Sequence, residues 1–206
     1  MRVLGIDPGS RVTGWGVVES RGERMEHVGS GTIALEPAIP LGIRLARLYA
    51  ECLRLLDEWS PAALVLERNF VARNVQSAFR LGEARGAILA AAGAAGIALH
   101  EYAPATVKLA AVGHGQADKR AVGRGVVLRL RLARTPMPDA ADALAIALCH
   151  LHQAPLAARV ATAMRAQTDA RTCAGGDPAL QPREQGRGDA VLQSREQARG
   201  ARQRGA

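Results

Sequence analysis

A chain of 206 residues with a formal charge of +8 and a pI near 10.6 has room for one ordinary domain and a tail, and its charge suits a polyanionic partner, nucleic acid first. There is no long unbroken apolar run and no signal-peptide pattern, which argues against a membrane. Cys52, Cys149 and Cys173 are odd in number and scattered without a C-x-x-C pair, which fits inert thiols in a reducing cytoplasm and gives no zinc signature.

One compositional bias stands out. Of 27 basic residues 25 are arginine, and the only lysines are Lys108 and Lys119. Where a position needs only positive charge arginine serves, whereas a compact ammonium near a reacting phosphate is poorly replaced by a wide planar guanidinium. Chance is the competing account.

Taken in order, Val3 to Ile6 reads as a short buried strand that ends in Asp7, with Pro8-Gly9 as the turn that stops it. Thr13 to Val18 resumes a strand and closes a hairpin, and Met25 to Leu35 reads as a third strand with Gly29 and Gly31 marking a bulge. Leu41 to Trp59 spaces Leu41, Leu45, Leu48, Cys52, Leu55 and Leu56 as one face of an amphipathic helix covering a sheet. After Pro61, Ala62 to Leu66 is a second short buried strand, and it too ends in an acid, Glu67. The polar loop that follows holds Phe70 between Arg68 and Arg73. Two readings stand: Phe70 anchors the loop to the core, or it is a stacking platform for an unpaired base, with the arginines on phosphates.

Val75 to Gly96 forms an Ala-rich helix in which Gly82, Gly86 and Ala90 recur every four residues. Glycine weakens a helix, so its repetition on one face points to tight packing, against the protein's own sheet or, as favoured here, across a two-fold axis. Ile97 to Tyr102 reads as the last strand, Pro104 to Val112 as a short helix carrying Lys108, and Gly113-His114-Gly115 as a joint. Ala117 to Leu132 is helical by period. Lys119, Arg120, Arg124, Arg129 and Arg131, with Arg134 just beyond, make it a phosphate-tracking surface rather than a merely solvated face. Thr135 to Pro138 sets up a last helix, whose Asp139 and Asp142 share one face while His150 and His152, two apart, read as surface. Beyond Pro155 the apolar period fades. Residues 166–206 read as a disordered, mildly basic tail in which 177–188 and 189–200 repeat with eight of twelve positions identical.

Asp7 and Glu67 at strand ends and Asp139 with Asp142 on a helix make four carboxylates in comparable positions. Several charged oxygen ligands suit hard divalent cations such as Mg or Mn better than zinc, and two such ions about 4 Å apart serve phosphodiester hydrolysis. Asp7, reaching from the sheet centre, is the natural bridging ligand, and Lys119 or Lys108 is available to stabilise transition-state charge.

The segments GIDPGSRVTGWGVVE, LVLERNFVARNVQSAFRLGEARGAI and PDAADALAIA closely resemble the RuvC family of bacterial Holliday-junction resolvases, from about Arg2 to His152. The resemblance implies an α/β, RNase H-like fold over residues 1–155, a mixed five-stranded sheet flanked by helices; the low-complexity tail, 156–206, is where the chain departs from the family. It implies a cytoplasmic homodimer that nicks four-way junction DNA in symmetric pairs during recombination and repair. Two Mg ions per subunit are implied, with Mn able to substitute, on Asp7, Glu67, Asp139 and Asp142. Phe70 matches the family's loop aromatic, and Lys108 and Lys119 match its two functional lysines. A preference for a short T-rich cleavage sequence and cooperation with a branch-migration helicase complex are also implied. Two rival readings are weaker. GIDPGS with its Thr-Gly hairpin also resembles the phosphate loop of actin-like ATPases and sugar kinases, but those need a second lobe and a second phosphate loop, for which the chain is too short. A non-catalytic junction-binding module would have no need of the complete acid set.

Overall fold

Strand β1 (Arg2–Asp7) is buried from Val3 to Ile6 without alternation, the pattern of a strand covered on both faces. It lies at the centre of a five-stranded sheet of order β3-β2-β1-β4-β5 in the computed structural model, which describes residues 1–22, 24–68 and 75–154. On one side β2 (Val12–Arg21) runs antiparallel with Asp7 opposite Gly14, and β3 (Arg24–Ala34) forms the edge. On the other side β4 (Ala63–Glu67) and β5 (Ala98–Tyr102) are parallel to β1, Ile6 pairing with Leu66 and Glu67 with Tyr102. Parallel neighbours need long crossovers, and helices supply them: α1 (Leu41–Trp59) leads into β4, and α2 (Val75–Ala94) joins β4 to β5. After β5 come α3 (Pro104–Val112), α4 (Lys119–Leu130) and α5, the helix over residues 138–154. The sheet is mixed and five-stranded, as the resemblance implies.

Side chains alternate across a strand, and the two faces feed separate cores. Leu4, Ile6, Leu64 and Leu66 pack under α1 and α2, while Val3, Ala63 and Val65 pack under α3, α4 and α5. The same alternation puts Asp7 and Glu67 on the α5 face. Helix α5 lies unusually close to the sheet, because a Cβ added at Gly5 or Gly14 would overlap the carbonyl oxygens of Ala143 and Asp139.

Several expectations change. The strand irregularity falls at Val28, skipped between the pairs Val17–Gly29 and Val18–His27. Gly29 and Gly31 instead leave room for the rings of Trp59 and Trp15, whose centroids are 6.4 Å apart. Leu41, at the first position of α1, is 38% exposed and does not join the buried face. Gly82 and Gly86 have no other atom within 4 Å of an added Cβ, so among the described residues α2 does not use them against its own sheet. His150 is not at the surface. It is 4% exposed, accepts or donates a hydrogen bond with the Tyr102 hydroxyl at 3.0 Å, and packs on the His100 ring at 4.5 Å between centroids. The reason is that α5 is buried all round, residues 143–151 without exception, so its late positions have no solvent face. Burial, with His100 beside it, pushes the His150 ring down to about 4. Cys52 and Cys149 are buried, which raises both thiols to about 12 and leaves them inert. Phe70 and Arg73 lie outside the described residues, as do Cys173 and the tail. Among the described residues no helix is long and apolar enough to cross a membrane.

Candidate active site

Adjacent parallel strands end level with each other, so β1 and β4 deliver Asp7 and Glu67 side by side at the sheet's C-terminal edge. Helix α5 begins over that edge, seated by Gly14, the residue paired with Asp7, and carries Asp142 one turn in. Asp7, Glu67 and Asp142 line one cleft of about 270 Å³ together with Lys108 from α3 and Lys119 from α4, over a floor that includes Val107, Val122 and Ile146. Both lysines of the chain are therefore in the same cleft as three of the four acids. Asp139 stands off it, in the first turn of α5, near enough to oppose the ionisation of Asp7 slightly but not among the lining residues.

Lys119 is the first residue of α4. The helix starts there because Asp118 caps it, accepting a hydrogen bond from the Ala121 N–H at 2.6 Å. From that position the Lys119 ammonium donates to Asp142 Oδ2 at 2.9 Å, a bond that raises the lysine further above its ordinary value. The lysine side chain is 81% exposed, so the pair stabilises little by itself. What it does is hold an ammonium at the mouth of the cleft.

Asp7 is pushed up to about 7, first by burial and then by the charges of Asp142 and Glu67, with Lys119 opposing. Asp7 thus resists taking a charge beside Asp142 and Glu67, the condition a bound cation would relieve. The donors are all oxygen, which fits a hard divalent ion. Among the described residues no three acidic, histidine or cysteine side chains already stand together as a metal-binding group.

A second cleft, of about 460 Å³, opens from the first between α4 and the start of α5. It shares Lys119 and Asp142 and adds Arg120 and Arg124, both exposed, so cationic side chains lead outward from the acids. Arg68 leaves β4 directly after Glu67 and points its Nε at Glu101, 3.8 Å away. Sequence reasoning missed Gly5 and Gly14, which seat α5, and Asp118, which starts α4 at Lys119. Gly14 and Gly16 alternating with Trp15 was the available signal, since two glycines on one strand face permit a helix to approach.

The mixed five-stranded sheet with its flanking helices defines an RNase H-like fold. The model of the family described as crossover junction endodeoxyribonuclease RuvC matches residues 3–150. The crossover junction endodeoxyribonuclease RuvC of Alkalilimnicola ehrlichii is 52% identical over 159 residues, covering 77% of this chain and 96% of that protein. Its counterpart in Halorhodospira halophila is 48% identical, covering 80% and 99%. T. thermophilus RuvC in complex with Holliday junction substrate superimposes with a TM-score of 0.73 at 38% identity, covering 76% of this chain and 96% of that one. A yeast mitochondrial Holliday junction resolvase, 15% identical with a TM-score of 0.54 over 71% of this chain and 76% of its own, shares the fold. The chain belongs to the RuvC family, and with it to the metal-dependent nucleases.

Proposed function

We propose that this protein resolves four-way DNA junctions by hydrolysing one phosphodiester bond in each of two symmetric strands. The observation that carries the proposal is the single cleft holding Asp7, Glu67, Asp142 and both of the chain's lysines. In a chain with 25 arginines, two lysines meeting at one acid cluster suit a reacting phosphate, where a compact ammonium fits and a guanidinium does not. The names of its relatives, and the junction substrate bound to the T. thermophilus protein, support the same substrate here.

Asp7, Glu67, Asp139 and Asp142 would hold Mg, two ions per subunit, with Mn able to substitute. Divalent ions there supply the Lewis acidity that phosphodiester hydrolysis uses. Lys119 neutralises Asp142 until a phosphate enters, and its exposed ammonium then turns to the phosphate oxygens, with Lys108 lining the same cleft. Arg120 and Arg124 hold the strand's outer phosphates. Phe70, between Arg68 and Arg73, stacks on a base unpaired near the crossover.

Paired nicks require two copies. Val75, Phe79, Gly82 and Gly86 form an exposed stripe along α2, with Val75 and Phe79 72% and 69% exposed, which supports a homodimer closed through that helix. A cytoplasmic location and a branch-migration helicase complex as partner belong to the same reading, with residues 1–155 as the nuclease domain. Incubation with a synthetic four-way junction and Mg, beside a linear duplex of the same sequence, tests it. Symmetric nicks confined to the junction support the reading, and equal cutting of both substrates, or of neither, contradicts it.

A further inference from the structure

We infer that Arg85 and Glu101 form a positioning pair that fixes Glu67 from the face of the sheet opposite the cleft. Glu67 is the last residue of β4, and its carboxylate faces α5. On the other face Arg85, in the middle of α2, donates from Nη1 to the Glu67 backbone carbonyl at 3.0 Å. Its Nη2 pairs with the Glu101 carboxylate on β5. The N–H of the next residue, Arg68, donates to the Tyr102 carbonyl at 2.7 Å.

That carbonyl and that N–H belong to one peptide group. The plane joining Glu67 to Arg68 is therefore pinned at both ends, by α2 through the guanidinium and by β5 through the ladder, and it lies where the chain leaves the sheet. Those two bonds hold the Cα of Glu67 where β4 ends; with one removed the strand end is free to shift, and the shift carries the Glu67 carboxylate with it. Ligand geometry tolerates little of that, since a productive site needs its groups within about 0.5 Å. The planar fork of arginine reaches a carbonyl and a carboxylate together, which a single ammonium does not. Glu101 keeps the fork oriented and also faces Arg68. With the Arg85 side chain only 19% exposed, water does not readily replace it.

The inference rests on the reading that Glu67 is a metal ligand, and the experiment separates the two. Mn is titrated into the metal-free full-length protein, with free Mn followed by electron paramagnetic resonance. The Mg concentration for half-maximal junction nicking and the melting temperature are measured alongside. Arg85→Ala is expected to weaken Mn binding and raise the Mg requirement by about 10- to 100-fold, the range for partners behind a metal ligand, at a melting temperature within a few degrees of the parent. Arg85→Lys should stay near the alanine variant, and Glu101→Gln, which keeps an oxygen for the guanidinium, near the parent. Parental Mn affinity in Arg85→Ala, while Glu67→Gln has lost it, overturns the positioning pair alone. Parental Mn binding and cutting by Glu67→Gln would overturn the ligand reading beneath it. If Arg85→Ala does not fold, Arg85→Lys and Glu101→Ala decide by the same titration.

Discussion

Replacing Asp7 by Asn removes a carboxylate whose ionisation the fold resists. The group rises from 3.8 to about 7, which is about 3 units, and at 1.36 kcal/mol per unit the charged form costs the folded state about 4 kcal/mol. The sign follows from proton binding: between these values the folded chain holds the proton more tightly than the unfolded one. The contribution to stability is thus fully present below the unfolded value and is lost as pH rises through about 7. Asparagine keeps the shape and never ionises. The stability difference between variant and parent should be near zero around pH 4 and grow to a plateau above pH 7. Asp7 is only part-buried, so water and relaxation absorb some of the cost and about 1 to 4 kcal/mol should be seen. Urea denaturation of both proteins in metal-free buffer, from pH 4 to 8.5, measures it. His150 acts in the opposite direction, favouring unfolding as pH falls from its ordinary value toward about 4, but it is present in both chains and cancels in the difference. Adding Mg at pH 8 should stabilise the parent much more than the variant. Parallel pH curves, with no gap opening toward pH 7, would refute the claim that burial and the neighbouring acids together resist the ionisation of Asp7.

Lys119→Arg keeps the charge but widens the head, so single-turnover nicking at saturating junction should fall about tenfold or more, the mark of an interaction made in the transition state. Arg124→Lys should cut nearly as the parent does, because tracking a phosphate needs little beyond charge. Gly14→Ala places a methyl on the Asp139 carbonyl; lifting the start of α5 should cost about 1 to 3 kcal/mol in denaturation and reduce nicking by the protein that remains folded. Phe79→Glu, on the exposed face of α2, should convert a dimer to a monomer in sedimentation while leaving the melting of the fold almost unchanged.

Much of the scaffold was legible because the chain punctuates itself. Two apolar runs end in a carboxylate, Asp7 and Glu67; Pro8-Gly9 marks where the first stops and Pro61 where the second begins. That these runs are neighbours is a fact of topology, since β2, β3 and α1 intervene in sequence, and only the sheet order brings the acids level. The meeting of Lys119 with Asp142 depends likewise on how α4 packs, although the scarcity of lysine had singled that residue out. His150 was misread because two histidines at different helical angles suggest a polar face. The unbroken apolar run around them, Ala143 to Cys149, was the better signal of a helix buried all round. Arg85 resembled the other arginines of an Arg-rich chain, and nothing local tells that its fork closes on a backbone carbonyl 18 positions away.

The most direct test of the four-acid site is single-turnover nicking of one synthetic four-way junction by the parent, Asp142→Asn and Glu67→Gln, with junction affinity measured on the same preparations. Loss of nicking by both variants, at an affinity equal to or above the parent's because less negative charge faces the DNA, is the predicted result. Cleavage at the parental rate by either variant at ordinary Mg concentration would contradict the account.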